Sequence, residues 1–196
     1  MPALSVSIDG KMIATVCTDG YNVLSVSASG TRIDDELAHL DVAGGTYPED
    51  GDSTYLMWAS ALPLQLGQVV TVAFLESALS SHAGKTIEEL FPEELSSETK
   101  VKPIATVIDE IRAKTKLRDN FSFRLKSSLG TMFVGETTPD EHGFGFTVLW
   151  NSFHPERARV SLHSYTLESL EARGPMTNHV EERISHGASV CFELVG

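Results

Sequence analysis

Seven carboxylates in the first third of the chain are the residues whose type and spacing most clearly suggest a binding surface. Residues 1–76 hold ten acidic and two basic residues, so most of their charges lack a partner within that stretch. Unpaired like charges repel one another, and a basic protein surface would relieve that repulsion and be attracted from a distance. We therefore predict that a protein partner binds Asp34, Asp35, Glu36, Asp41, Glu49, Asp50 and Asp52. The alternative is an acidic surface that serves only solubility.

Three histidines suggest a different kind of site, one for a small ligand or for catalysis between two halves of the chain. These residues are His142, His163 and His179. Imidazole titrates near neutral pH and serves as an acid, a base or a metal ligand. His142 directly follows Asp140 and Glu141, and two neighbouring carboxylates would raise its pKa. The simpler interpretation of this stretch is a polar loop that ends where Gly143 starts a strand.

Two further patterns resemble metal sites only weakly. A helix over residues 176–186 would place His179, Glu182 and His186 on one face, and imidazole and carboxylate are both common ligands. A solvated polar face explains the same residues more simply. Residues 49–52 lack the twelve-residue ligand spacing of a calcium loop, so we interpret them as a turn. We expect no metal and no cofactor.

No local catalytic motif is present in the sequence. The chain lacks G-x-S-x-G, H-E-x-x-H, C-x-x-C, a P-loop and a dinucleotide-binding glycine pattern. Catalytic groups also assemble from distant positions, so an enzyme stays possible in principle. The absence nevertheless favours a protein that is not an enzyme, and we assign no catalytic residue.

Composition narrows the classes of partner and the compartment. The chain carries 15 basic and 27 acidic residues, a net charge of −12, which disfavours direct binding to nucleic acid or to anionic membranes. No stretch approaches the roughly 20 apolar residues of a membrane span, and the N-terminus has no signal-peptide pattern. Its two cysteines, Cys17 and Cys191, lie in alternating runs typical of small buried side chains. We expect a cytoplasmic protein of unknown oligomeric state.

Both ends of the chain are dominated by alternating patterns typical of β-strands, which would position the candidate acidic residues and histidines. Residues 4–8 and 12–17 alternate apolar and polar side chains around Asp9-Gly10, which predicts a hairpin with a type I′ turn. Residues 55–62 fit either a helix or a buried strand, and residues 176–184 fit a polar helix. In the middle, Thr86 and Glu89 match a helix capping box. Pro103 is placed as the first residue of a second helix, with an apolar stripe at Ile104, Val107, Ile108 and Ile111.

The two ends of the chain align with each other and indicate an internal duplication. The matched stretches end alike, with a glycine followed by an alternating strand at Gly67 and Gly187. We predict an α+β, β-dominated fold of two diverged copies of a small antiparallel β module joined by a helical connector. The predicted boundaries are residues 1–76, 77–118 and 119–196. The matched residues are Val6 and Ile8 with Phe123 and Leu125, residues 20–23 with 143–146, Leu40 and Val42 with Val160 and Leu162, and residues 67–74 with 187–194.

These observations leave three functions open. The first is a non-enzymatic binding protein, such as an acidic inhibitor or immunity-type protein that masks a basic surface of its partner. The second is an enzyme or small-ligand-binding protein with a site between the two modules, where pockets often occur. The third is a structural or assembly subunit, because sheet edges can pair with neighbouring chains.

Overall fold

The structure, a computed structural model, describes residues 1–92 and 102–195. In this part of the chain, twelve strands form two antiparallel sheets of six strands each. The first copy contributes β1 Ala3–Ile8, β2 Lys11–Cys17, β3 Val23–Thr31, β4 Ala38–Thr46, β5 Thr54–Leu64 and β6 Val69–Leu75. The second contributes β7 Ser122–Ser127, β8 Met132–Glu136, β9 Gly143–Asn151, β10 Arg157–Tyr165, β11 Thr177–Ser185 and β12 Ser189–Val195.

Each sheet takes three strands from each copy. The first sheet has the order β2-β1-β6-β12-β7-β8, and the second has the order β11-β10-β9-β3-β4-β5. The copies therefore meet at the β6–β12 pair in one sheet and at the β3–β9 pair in the other. The predicted β-dominated fold of two diverged copies is confirmed, and the two copies are interlocked within both sheets.

Strand positions repeat after 120 residues through most of the module, as from Gly67 to Gly187. Both of these glycines have a positive φ, near 80°. The predicted match of Leu40 with Val160 agrees with this spacing. The match of Val6 with Phe123 is two residues out of register, because Val6 and Leu125 face the equivalent residues Val72 and Phe192. The match of residues 20–23 with 143–146 is three residues out of register. The error arose because a turn glycine was aligned with Gly143, the first residue of β9.

One hydrophobic core lies between the two sheets and contains residues of both copies. The ring of Phe192 in the first sheet stacks on Phe146 in the second at 4.7 Å between centroids, and Phe123 meets Phe144 at 4.9 Å. A module of about 75 residues buries too little surface to be more than marginally stable alone. The predicted modules, residues 1–76 and 119–196, stay a prediction as separate domains.

Turn residues determine how the strands are connected. Asp9 and Gly10 have φ values of 51° and 77°, so the predicted type I′ hairpin between β1 and β2 is confirmed.

Residues 55–62 lie in strand β5. The predicted helix over residues 176–184 is wrong, because this stretch is β11, an edge strand whose exposed positions take polar residues. Cys17 and Cys191 are free and half-buried.

Three short helices lie outside the sheets within residues 1–92 and 102–195. α1, Ile87–Leu90, begins with the predicted capping box, in which Thr86 and Glu89 bond to each other's backbone. α2, Ile104–Ala113, follows Pro103, which is its N-cap rather than its first residue. Of the predicted stripe, Ile108 is buried but Ile104 is half exposed. α3, Leu167–Glu171, lies between β10 and β11. None of the described helices is long and apolar enough to cross a membrane.

The first part of the connector packs along the edge of the first copy. Lys85 forms a two-way backbone bridge with Met57 of β5. The indole Nε1 of Trp58 donates to the carbonyl of His82 at 3.2 Å, and Nε2 of His82 lies 3.1 Å from the Trp58 carbonyl. These bonds hold this part of the connector on the surface of the first copy.

Candidate functional site

The structure places the seven predicted acidic residues in three separate locations. The β3–β4 loop and the β4–β5 loop lie at opposite ends of β4, a strand of nine residues and thus roughly 30 Å long. Asp34, Asp35 and Glu36 are at one end, Asp41 is within β4, and Glu49, Asp50 and Asp52 are at the other end. The last three are all exposed and lie within one loop, whereas Asp34 and Asp41 are half-buried.

Two of these acidic residues have local contacts. Asp41 accepts a hydrogen bond from the backbone N–H of Ala61 at 2.8 Å, where Ala61 has a positive φ of 47°. This bond stabilises an irregular stretch of β5 next to the register shifts in its pairing with β4. Asp34 is half-buried. Burial raises the pKa of Tyr165, and the charge of Asp34 adds to that rise.

A cavity of about 370 Å³ lies at the end of the sandwich where the connector meets both copies. It is built by the β3–β4 loop, α2 with the residues after it, the β8–β9 loop and α3. Its lining combines apolar, positively charged and imidazole side chains with two carboxylates, those of Asp140 and Glu168. The residues relevant here are Ile33, Ile111, Leu167, Lys114, Lys116 and His142.

Backbone hydrogen bonds hold the connector against the first copy at this cavity. The N–H of Leu117 donates to the carbonyl of Arg32 at 2.7 Å. The guanidinium of Arg118 donates to the carbonyls of Thr31, at 2.7 Å, and Asp35, at 3.2 Å. Lys114 and Lys116 therefore lie between α2 and a segment that is hydrogen-bonded to the first copy.

Arg32 is a buried cation next to the cavity. Its side chain is 2% exposed, and its Nη1 and Nη2 donate to the carbonyls of Pro139 at 2.6 Å and Thr138 at 2.7 Å. Among the described residues its Nε has no acceptor, and no carboxylate lies within ion-pair distance. A buried charge without a counter-ion is costly, so this region favours a nearby negative charge.

His142 lies in the cavity wall with an unsatisfied nitrogen. It is 5% exposed, and its Nε2 has no hydrogen-bond partner among the described residues. Burial lowers the pKa of His142, and the positive charges of Lys116 and Arg32 lower it further, against a weaker opposing effect of Asp34. The alternative in which Asp140 and Glu141 raise this pKa is therefore wrong, and the preferred interpretation, a polar loop that ends where Gly143 begins β9, is confirmed.

Positive charge at the cavity is only partly neutralised by the protein itself. Arg112 contacts three carboxylates, Asp109, Glu168 and Glu171, at 3.3, 3.4 and 3.1 Å. Lys114 and Lys116, by contrast, are exposed and take part in no ion pair within the described ranges. The lining also contains the carboxylates of Glu168, which contacts Arg112, and of Asp140.

A buried polar network fixes the β8–β9 loop that carries His142. The carboxylate of Glu141 accepts from the hydroxyl of Ser164 and from the N–H of Thr138, the latter at 2.8 Å. The Ser164 oxygen also lies 2.8 Å from Nε2 of His179. Burial raises the pKa of Glu141, but hydrogen bonds from Ser164, Thr177 and Thr138 outweigh that effect and hold it below its ordinary value.

This network is not arranged as a hydrolase triad. In a serine hydrolase the histidine lies between serine and carboxylate, whereas here Ser164 lies between Glu141 and His179. Ser164 is also completely buried, so no substrate reaches it. The network supports the loop rather than performing chemistry. Sequence reasoning missed Ser164, because a serine in a strand carries no signal of its partners.

The three candidate histidines do not share one site. His142 faces the cavity, and His179 contacts the ring of Phe133 at 5.4 Å between centroids. His163 lies over Gly145, where an added Cβ would come within 2.7 Å of its ring. Burial is the largest cause of a lowered pKa at each of the three. Of these, His142 alone lines the cavity between the copies.

The described residues also show how the weak metal patterns are arranged. Because β11 is a strand, His179 and Glu182 lie on it without the helical spacing on which the metal hypothesis depended. Within residues 1–92 and 102–195, no group of three histidine, cysteine or acidic side chains is placed to hold a metal ion.

Comparison with known proteins does not assign this chain to a family. It matches no protein-family model, no curated protein and no solved structure at a significant level.

Proposed function

We propose that this chain is a small-ligand-binding protein whose site is the cavity between the two copies, and that the ligand is an organic anion. The observation that carries the proposal is the pair of lysines, Lys114 and Lys116, that form no ion pair with any described residue and line the cavity with a buried imidazole whose Nε2 has no described partner. Arg32, a buried cation without a carboxylate partner, adds a further positive potential. The lining holds three cationic side chains, of Arg112, Lys114 and Lys116, against two carboxylates, of Asp140 and Glu168, so it keeps an excess of positive charge for an anion to meet.

The other half of the lining determines what kind of anion fits. Ile33, Ile111 and Leu167 form apolar walls, so a bare inorganic ion would leave them unfilled. A volume of about 370 Å³ lies at the lower end of the range for small-molecule sites. The preferred ligand therefore combines a carboxylate or phosphate group with a short aliphatic or aromatic body.

Calorimetric titration with a small set of probes tests this proposal. The probes are 3-methylbutanoate, phenyl phosphate, inorganic phosphate and the neutral amide of 3-methylbutanoic acid. We expect the organic anions to bind more tightly than inorganic phosphate, and the neutral amide not to bind. An anion at 100 times its Kd should stabilise the protein by about 2.7 kcal/mol.

Matched variants separate a specific site from general charge effects. Lys114→Met with Lys116→Met removes both unpaired cations while keeping the length of each side chain, and should abolish anion binding. Lys126→Met, which changes an exposed lysine on β7, is the control and should bind as the wild type does. Equal binding by both variants, or tighter binding of the neutral amide than of the anions, would contradict the proposal.

A second candidate function is supported by the β4–β5 loop. Glu49, Asp50 and Asp52 are all fully exposed and form no ion pair within the described residues. Loops on a rigid scaffold commonly carry binding residues. This favours the hypothesis of a non-enzymatic protein, of inhibitor or immunity type, that masks a basic surface of a protein partner.

Capture from a lysate of the source organism at low and high salt tests this second candidate. The variant Glu49→Gln, Asp50→Asn, Asp52→Asn should lose one basic protein that the native chain captures at low salt. Asp35→Asn with Glu36→Gln, at the opposite end of β4, is the matched control and should retain it. Because exposed charge pairs are screened, capture that survives high salt or loss of the loop charges would refute this function.

A further inference from the structure

The two copies differ in what covers the outer edge of their first hairpin. In the first copy, the edge strand β2 is covered by the connector. The N–H of Thr15 donates to Oγ of Ser81 at 3.1 Å, the N–H of Ser81 donates to the Thr15 carbonyl at 2.9 Å, and the N–H of Cys17 donates to Oγ of Ser80 at 3.0 Å. The edge groups of β2 are thus satisfied within the chain.

The matching strand of the second copy, β8, has no such cover among the described residues. Thr15 pairs with Ser5, the third residue of β1, and Val134 pairs with Arg124, the third residue of β7. Val134 therefore occupies the position in the second copy that Thr15 occupies in the first. Their exposure differs sharply, since Thr15 is 7% exposed and Val134 is 66% exposed.

The hydrogen-bond pattern identifies which groups of β8 point outward. In an antiparallel ladder, hydrogen-bonded and non-hydrogen-bonded pairs alternate. Two hydrogen bonds show which pairs of β7 and β8 are hydrogen-bonded. The N–H of Ser127 donates to the Thr131 carbonyl, and the N–H of Thr137 donates to the Phe121 carbonyl. The N–H and carbonyl groups of Met132, Val134 and Glu136 consequently face away from β7.

The exposed edge has little of the usual protection against pairing. Natural edge strands are shielded by short length, lysine, proline, bulges or covering segments, and of these β8 has only its length of five residues. β8 is paired with β7 without a bulge, and it presents Met132 at 70% exposure and Val134 at 66%. Its one charged residue, Glu136, lies at the end of the strand.

We propose that β8 is a self-association surface, on which β8 of a second copy of this chain adds as an antiparallel strand centred on Val134. In that register Val134 faces Val134 of the second copy, and Met132 faces Glu136. No like charges are then opposed, and every outward N–H and carbonyl of the three residues gains a partner. The six-stranded sheet of each chain would continue into that of the other through a two-fold axis.

A register-specific disulfide tests this arrangement. In a Cys17→Ser, Cys191→Ser background, Val134→Cys places two thiols on a directly opposed pair, with Cα atoms about 5.5 Å apart, a separation that a disulfide bridges. Met132→Cys is the matched control, because two copies of residue 132 lie about four residue steps apart, roughly 13 Å. We expect mild oxidation to cross-link the first variant at least tenfold faster than the second.

The mass in solution provides the second readout. We expect the wild type to rise from 21.3 kDa toward twice that mass as the concentration approaches about 1 mM, where even weak association is populated. Val134→Pro should remain monomeric and folded, since proline is tolerated where an edge N–H faces away from the sheet. A monomer at every concentration, equal cross-linking of both cysteine variants, or an equally dimeric proline variant would each overturn the proposal.

Discussion

Replacing the buried carboxylate of Glu141 tests how the β8–β9 loop is held in place at the cavity. Glu141→Gln keeps the shape of the side chain but removes its charge and one of its two acceptor oxygens. The oxygens accept from Ser164 and from the N–H of Thr138, so the variant leaves one donor facing an NH₂ group. Glu141 is 2% exposed, so water does not replace the lost bond.

The expected loss follows from the bonds that the variant removes. A hydrogen bond to a charged group contributes roughly 1.5–3 kcal/mol, and a buried donor left unsatisfied costs roughly 1–3 kcal/mol more. We therefore expect Glu141→Gln to lower the free energy of unfolding by about 2–5 kcal/mol at pH 7. The exposed Glu181, which pairs with Arg159 at 3.4 Å, is the control, and Glu181→Gln should cost less than about 1 kcal/mol.

The same carboxylate predicts a specific pH dependence. Because the pKa of Glu141 is lowered in the folded state, the unfolded chain binds the proton more readily. The stabilisation is then fully present above the ordinary carboxyl pKa of about 4.3 and is lost as the pH falls through the lower folded value. The difference between wild type and Glu141→Gln should shrink over that acidic range.

Urea denaturation followed by circular dichroism between pH 3 and pH 8 measures both effects. A loss below about 1 kcal/mol at pH 7, comparable with that of Glu181→Gln, would refute the buried network as the anchor of the loop. A difference between Glu141→Gln and wild type that stays constant from pH 8 to pH 3 would refute the lowered pKa.

Two further predictions concern the shared core and the outer face of the second sheet. Phe192→Ala removes a ring that stacks on Phe146 at 4.7 Å, and we expect a loss of about 3–5 kcal/mol in a single urea transition; two separate transitions would contradict a common core. Gly145→Ala should cost about 1–3 kcal/mol, because its Cβ would lie 2.7 Å from the ring of His163. Adding His163→Ser should restore most of that loss in the same assay, and a double variant no more stable than Gly145→Ala would refute the steric explanation.

The parts of the fold that depend on local chemistry were predictable from the sequence. Asp9-Gly10 specifies its turn through the φ values that both residues must adopt, and Thr86 with Glu89 specifies a helix start. The duplication was visible where glycines precede strands, as at Gly67 and Gly187. It was misaligned at residues 20–23, where alternation alone gives no register.

The pairing of the copies was not predictable, because alternation within a strand does not say which strand lies beside it. The same limit explains the error at residues 177–185. A polar edge strand and a polar helix expose similar residues, and only the neighbouring strand β10 distinguishes them.

The cavity was only partly foreseen. His142 was a candidate because of its residue type, but no sequence pattern indicates that Lys114 and Lys116 lie beside it. Lys114 and Lys116 line one cavity with Ile33 and Leu167, which lie more than 50 positions away in the sequence. The acidic residues stood out in the sequence because charge is counted along the chain, whereas the structure separates them along β4.

The protonation of His142 is the measurement that tests the proposed anion site most directly. Its imidazole can be followed by NMR as a function of pH, with and without phenyl phosphate, and assigned by comparison with His142→Gln. We predict a low pKa of His142 in the free protein and a higher pKa when the anion is bound, because a nearby negative charge favours the imidazolium. Lys114→Met with Lys116→Met should remove this rise. A His142 pKa that does not change at any anion concentration would contradict the proposed anion site.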